Sequence, residues 1–191
     1  MKRIVLMASG SGSNVENIAR YFEKEEAITI AAVLTNKRDA YVIDRCNKLN
    51  ISALYFNRNA YSQSDLVLNL LKGIDPHLIV LAGFLWKIPE KVVRAFEGRI
   101  INIHPALLPK YGGKGMYGRH VHEKVKESGD LNSGITIHYV NENYDEGSII
   151  FQASVALEDS DTVDEIAQKI HRLEYEHYPK IIEELLKDLN G

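Results

Sequence analysis

The chain has 191 residues, 45% of them hydrophobic and 26% charged, and a formal net charge of −3. These are globular proportions with length enough for a real core, and they give no reason to expect nucleic acid or an anionic membrane as a partner. The single cysteine, Cys46, excludes an intrachain disulfide, the opening apolar run ends at Ser9 and is too short for a signal peptide, and no stretch is long enough to span a bilayer, all of which suits a cytoplasmic protein.

Residues 4–8 are a continuous apolar run, as in a central parallel strand. The turn Ser9-Gly10-Ser11-Gly12-Ser13-Asn14 then leads into a helical pattern with Val15, Ile18, Ala19 and Phe22 on one face. Strands are predicted over 28–34 and 51–56, with a helix over 40–49 between them. Ser62 or Ser64 is expected to cap a helix running to about residue 71. A strand at 78–81, a short helix over 90–96 with Pro89 in its first turn, and a strand at 99–103 follow. Residues 110–119 hold four glycines and no hydrophobic period, which reads as a mobile loop. A helix over 120–128 precedes strands over 135–140 and 149–155, too close together for a crossover and so antiparallel. Asp161 or Thr162 caps a long final helix, which Pro179 is expected to kink or divide. The pattern predicts an α/β fold: a mostly parallel, doubly wound, Rossmann-like sheet of about seven strands with an antiparallel C-terminal portion. No internal repeat, linker or boundary appears, so 1–191 reads as a single domain.

The stretch around residues 101–109 organises the rest. Asn102 and His104 alternate with Ile101 and Ile103, which puts amide and imidazole on one face of a strand that Pro105 terminates. In open α/β sheets that C-terminal edge is where ligands bind. The first glycine turn is neither a dinucleotide fingerprint nor a P-loop; it suits one phosphate monoester, or else is a tight turn with a Ser or Asn cap. Asp145, in Asn143-Tyr144-Asp145-Glu146-Gly147, is either a turn residue or a carboxylate aimed at His104. His138 faces a ligand or is a satisfied polar neighbour. His120 and His122 have the wrong spacing for a helix-borne metal pair, and no metal is expected. The run Phe84-Leu85-Trp86-Lys87-Ile88-Pro89 either packs the next helix or walls a slot for a flat heteroaromatic ring.

Taken together, these residues resemble the phosphoribosylglycinamide formyltransferases, folate-dependent enzymes of purine synthesis. The resemblance is carried by Gly10-Ser11-Gly12-Ser13-Asn14, Leu34-Thr35-Asn36-Lys37, Leu81-Ala82-Gly83-Phe84, Asn102-Ile103-His104-Pro105, Leu107-Leu108-Pro109-Lys110-Tyr111 and Asp145-Glu146-Gly147. It implies the formyltransferase fold, with a nucleotide-binding half over about 1–100 and a folate-binding, catalytic half over about 101–191. It implies 10-formyltetrahydrofolate as co-substrate, glycinamide ribonucleotide as acceptor, and Asn102, His104 and Asp145 as catalytic residues. The ribonucleotide is expected on Gly12, Ser13, Asn14 and Glu174. The folate is expected against Leu85, Trp86, Lys87, Ile88 and Pro89 and near Val140, Asn141 and Tyr144. A monomer or homodimer is expected.

Two stretches depart from the family pattern: the loop after Tyr111 is longer than the short proline-glycine version, and Trp86-Lys87 stands where an Arg-Ile type pair is usual. Alternatives kept beside this reading are a formyltransferase of the same fold acting on another amine, a formyltetrahydrofolate hydrolase, and a non-catalytic folate- or nucleotide-binding module.

Overall fold

The computed structural model describes residues 1–188. Seven strands form one sheet: β1 (Lys2–Ala8), β2 (Ile28–Thr35), β3 (Ala53–Tyr55), β4 (Leu78–Leu81), β5 (Ile100–His104), β6 (Asn132–Tyr139) and β7 (Ile149–Ala156). Their order is β3-β2-β1-β4-β5-β6-β7. β1 to β5 are parallel, and β6 and β7 are antiparallel additions beside β5. The order reverses between β1 and β4, so a crevice opens at their C-terminal ends.

The helices are α1 (Ser13–Tyr21), α2 (Val42–Lys48), α3 (Leu66–Ile74), α4 (Glu90–Ala95), α5 (Arg119–Ser128) and α6 (Val163–Asp188). Both faces of the sheet are covered, which is why the central strands are apolar runs rather than alternating ones. Ile4, Leu6, Val80, Ile101 and Ile103 pack under Val15 and Ile18 of α1 and Ile170, Tyr178 and Ile182 of α6. Val5, Met7, Ile79 and Leu81 pack on the other face with Leu71 of α3 and Val92 of α4.

Two sequence expectations are corrected. Neither Ser62 nor Ser64 is the N-cap residue of α3, which is Asp65: residues Asn59–Gln63 form a π-type turn, and the two hydroxyls donate back to Arg58 O at 2.8 Å and Ala60 O at 3.2 Å. Ser64 Oγ also accepts from Leu66 N at 3.4 Å, but Asp65 holds the N-cap position and its side chain caps nothing, so α3 starts later, at Leu66, and runs on to Ile74.

Pro179 does not divide α6, which is continuous. Proline has no N–H for the carbonyl of Tyr175 one turn back. Asn17 Nδ2 of α1 donates to that carbonyl at 3.0 Å, so a neighbouring helix supplies the missing bond. At its start α6 has a reciprocal cap: Glu165 N donates to Thr162 Oγ1 at 3.2 Å, and Thr162 N donates to Glu165 Oε2 at 2.7 Å.

Candidate active site

The glycine turn is built on α2. Gly12 has φ 74, and a Cβ there would lie 2.9 Å from Val42 Cα. Only glycine tolerates both the left-handed backbone and the close approach. Val42 N donates to Gly10 O at 3.2 Å, and Arg45 Nε donates to Ser11 O at 2.8 Å. Arg45 also pairs with Glu16 of α1. Gly12 is the N-cap of α1 and no side chain caps the helix. Its first N–H groups therefore lack partners, and the helix dipole makes them attractive to an anion.

The expected Ser or Asn cap is absent; Asn14 is turned toward α6, where its Nδ2 donates to Glu174 Oε2 at 2.9 Å, while its Oδ1 is buried without a partner. Burial of Glu174 holds its carboxyl above the ordinary value, against the pull of the Asn14 bond.

Across the sheet edge, β5 and β6 place Asn102 opposite His138 and His104 opposite Thr136. Asn102 Nδ2 is 3.2 Å from His138 Nε2, and His138 Nδ1 is 2.9 Å from Tyr139 O. A carbonyl can only accept, so His138 carries its proton on Nδ1, and Nε2 accepts from Asn102. His104 Nε2 is 2.7 Å from Tyr111 O, so in the neutral ring the proton sits on Nε2 and the lone pair on Nδ1.

Asp145 lies between the two imidazoles. Its Oδ2 is 3.7 Å from His104 Nδ1 and its Oδ1 is 3.6 Å from His138 Nε2. These are charge-range separations rather than hydrogen bonds. Oδ2 accepts instead from Gly113 N at 3.0 Å. The backbone at Asp145 is a turn with φ 55, and Gly147 beyond it lies so close to the Tyr139 carbonyl that no Cβ fits. Asp145 is thus both a turn residue and a carboxylate turned inward. His104 is 3% exposed and His138 2%. Burial pulls the His104 imidazole below its ordinary value and outweighs the Asp145 charge and the Tyr111 carbonyl. Burial also pushes Asp145 up, but His138, His104 and the Gly113 N–H prevail and hold it below the ordinary carboxylate range. The resting pair at neutral pH is a neutral imidazole and a carboxylate.

One cavity of about 640 Å³ joins these parts. Gly12, Ser13, Asn14 and Glu174 line one end; Asn102, His104 and Asp145 lie within it; Leu85, Trp86, Lys87, Ile88, Val140, Asn141 and Tyr144 line the remainder. Pro89 does not line it, and instead sits at the N-cap of α4 with φ −61 and ψ 140. Phe56, Tyr61 and Phe84 back Trp86, and the Arg58 guanidinium lies 4.6 Å from the Trp86 ring centroid. The loop read as mobile touches the site through Tyr111 O and Gly113 N.

Among the cavity residues not named as site residues from sequence are Ser9, His171 and His122. Ser9 ties the ends of β1 and β4 together, its Oγ accepting from Leu85 N at 2.9 Å. His171 lies one helical turn before Glu174, a spacing that shares a face and was a usable signal. His122 is 3% exposed with its Nδ1 buried and unpartnered, and burial takes its pKa down to about 4. The buried positions of α5 include Val121 and Val125 beside His122, an apolar setting that the i, i+2 pairing with His120 concealed. His120 is exposed, beside Glu123. Among the described residues, no group of three His, Cys, Asp or Glu side chains is placed to hold a metal, and no helix is long and apolar enough to cross a membrane.

A family model described as formyl transferase matches residues 2–182. The phosphoribosylglycinamide formyltransferase of Bacillus subtilis is 36% identical over 191 residues, which cover 97% of this chain and 95% of that protein. The enzyme of the same description from Haemophilus influenzae is 36% identical over 95% of this chain and 86% of its own length. The crystal structure of phosphoribosylglycinamide formyltransferase from Streptococcus pneumoniae matches with a TM-score of 0.86 at 34% identity, over 97% of this chain and 99% of that one.

Proposed function

The chain belongs to the formyl transferase family, and on that premise we propose that it transfers a formyl group from 10-formyltetrahydrofolate to the amine of glycinamide ribonucleotide in purine synthesis. The observation that carries this reading is the single cavity that joins an uncapped helix start to the Asn102, His104 and Asp145 cluster and then to an aromatic wall. A phosphate at one end and a flat ring at the other leave the amine and the formyl carbon to meet between them.

The amine nitrogen bonds to the formyl carbon, and the carbonyl oxygen becomes an oxyanion. Asn102 uses one amide hydrogen on His138, and its second is free for that oxygen. His104 Nδ1 takes the proton that the amine loses, and the carboxylate of Asp145 stabilises the imidazolium as it forms. The carbon–N10 bond then breaks and the proton passes to N10, so no covalent enzyme intermediate is needed. Metal chemistry has no part in this scheme. The ribonucleotide phosphate rests on the amides of Gly12, Ser13 and Asn14, with Glu174 beside the ribose, and the folate ring lies along Leu85 to Ile88 and by Val140, Asn141 and Tyr144.

The test is the absorbance change on deformylation of 10-formyltetrahydrofolate by the purified chain, with and without glycinamide ribonucleotide. Deformylation only with the ribonucleotide is the expected result. Loss of the formyl group without an acceptor favours a hydrolase. Binding of both ligands with no turnover leaves a non-catalytic module, and turnover with a different amine alone moves the assignment to another acceptor.

A further inference from the structure

The Tyr111 carbonyl that accepts from His104 belongs to a strained residue. Tyr111 has φ 61, a left-handed conformation that costs a tyrosine energy unless its surroundings impose it. The far end of the same residue is held fast. Its hydroxyl donates to Asp130 Oδ2 at 2.7 Å and touches Ser128 Oγ. Lys110 Nζ reaches both Asp130 oxygens at 2.6 Å and lies 5.0 Å from the Tyr111 ring centroid. The ring packs on the small cluster of Ala106, Val121 and Val125. Asp130, in the turn between α5 and β6, therefore grips two consecutive loop residues, and none of the three lines the cavity.

We propose that Asp130 is a positioning residue for His104, acting through Tyr111 to decide which imidazole nitrogen carries the proton. The proposal rests on the reading of His104 as the group that takes the amine proton. A neutral imidazole has two tautomers, and each acceptor beside it favours a proton on the nearer nitrogen. Two acceptors flank this ring: the Tyr111 carbonyl at Nε2 and the Asp145 carboxylate at Nδ1. Asp145 by itself favours the Nδ1–H form, which leaves no lone pair facing the carboxylate and no base at that atom. The carbonyl, at 2.7 Å against 3.7 Å for the carboxylate, selects the Nε2–H form and keeps Nδ1 basic. Gly113 N, two residues on, occupies Asp145 Oδ2 and weakens the competing acceptor. Both loop contacts depend on where Tyr111 is held.

Nitrogen-15 NMR of the unliganded protein reads the tautomer directly, with the His104 signals assigned by their loss in His104→Asn. The expected result is Nε2–H in the unmodified protein and a shift toward Nδ1–H in Tyr111→Phe and in Asp130→Ala. In both variants kcat falls about tenfold while the ribonucleotide Kd is unchanged. Asp130→Asn keeps an acceptor for the tyrosine hydroxyl and retains most of the Nε2–H form. Unchanged Nε2–H signals in both Tyr111→Phe and Asp130→Ala overturn the proposal. The tautomer is read without substrate, so a failure of the unmodified chain to turn over glycinamide ribonucleotide counts against the functional reading and leaves the NMR result to decide this one.

Discussion

Asn102 and His138 are register partners on adjacent antiparallel strands, and the Asn102 side-chain nitrogen lies 3.2 Å from His138 Nε2. The histidine accepts one amide hydrogen and leaves the other free, the one that the proposed mechanism gives to the oxyanion. Replacing His138 by Phe keeps the ring volume and removes the acceptor. We expect kcat to fall by about tenfold, and by 10²-fold or more in Asn102→Ala, which deletes the donor itself. Steady-state turnover of the two variants checks the order; equal, small effects would remove Asn102 from oxyanion stabilisation.

Asp145→Asn tests the carboxylate. If Asp145 serves only its turn, asparagine adopts the positive φ nearly as well and activity survives. If its charge stabilises the imidazolium of His104, kcat falls by about 10²-fold and the ribonucleotide Kd changes little. His104→Asn is expected to be comparably impaired, and the double variant little worse than the poorer single, because the two side chains act as a unit. Turnover of the three variants, with calorimetric binding of the ribonucleotide, decides it.

Gly12→Ala forces a Cβ onto Val42 in a left-handed backbone. The combined strain and overpacking are expected to cost roughly 2–4 kcal/mol in denaturant unfolding. The displaced amides are also expected to raise the KM for the ribonucleotide. A crystal of the unmodified protein with phosphate or sulfate should show the anion at the amides of Gly12, Ser13 and Asn14; an anion bound elsewhere in the cavity refutes that assignment.

His122 carries a pH dependence whose sign follows from its environment. Burial lowers its folded pKa from 6.5 to about 4, so the native state favours the neutral ring. Its contribution to stability is complete above pH 6.5 and is lost as pH falls toward 4. In His122→Gln that proton-linked loss is gone, so the stability gap between unmodified and variant protein narrows between pH 7 and pH 4.5. Urea unfolding at the two pH values measures the gap, and a constant gap would show that His122 does not titrate this way.

Sequence alone was enough for the local periodicities. The doubly apolar run of β1, the alternation of Asn102 and His104 with Ile101 and Ile103, and the glycine turn opening α1 are encoded within a few neighbouring residues, because side-chain direction repeats every two residues in a strand and about every 3.6 in a helix. The same patterns made the sheet edge legible as a candidate site, and the cavity lies there. Helix boundaries near residue 64 and the continuity of α6 through Pro179 were not legible, since both depend on which carbonyls find donors.

Tertiary structure decided the pairings. Asn14 and Glu174 are 160 positions apart, Asn17 and Tyr175 are 158 apart, and Asn102 and His138 are 36 apart. Strand order and register bring each pair together, and neither leaves a periodic mark in the chain. The protonation pattern was likewise set by the fold. The residue type of His104 says only that a proton can be held near neutral pH; burial and the Tyr111 carbonyl fix the state and the nitrogen. An imidazole responds to the acceptors within hydrogen-bonding reach and to the water removed from around it, and only the folded chain supplies either.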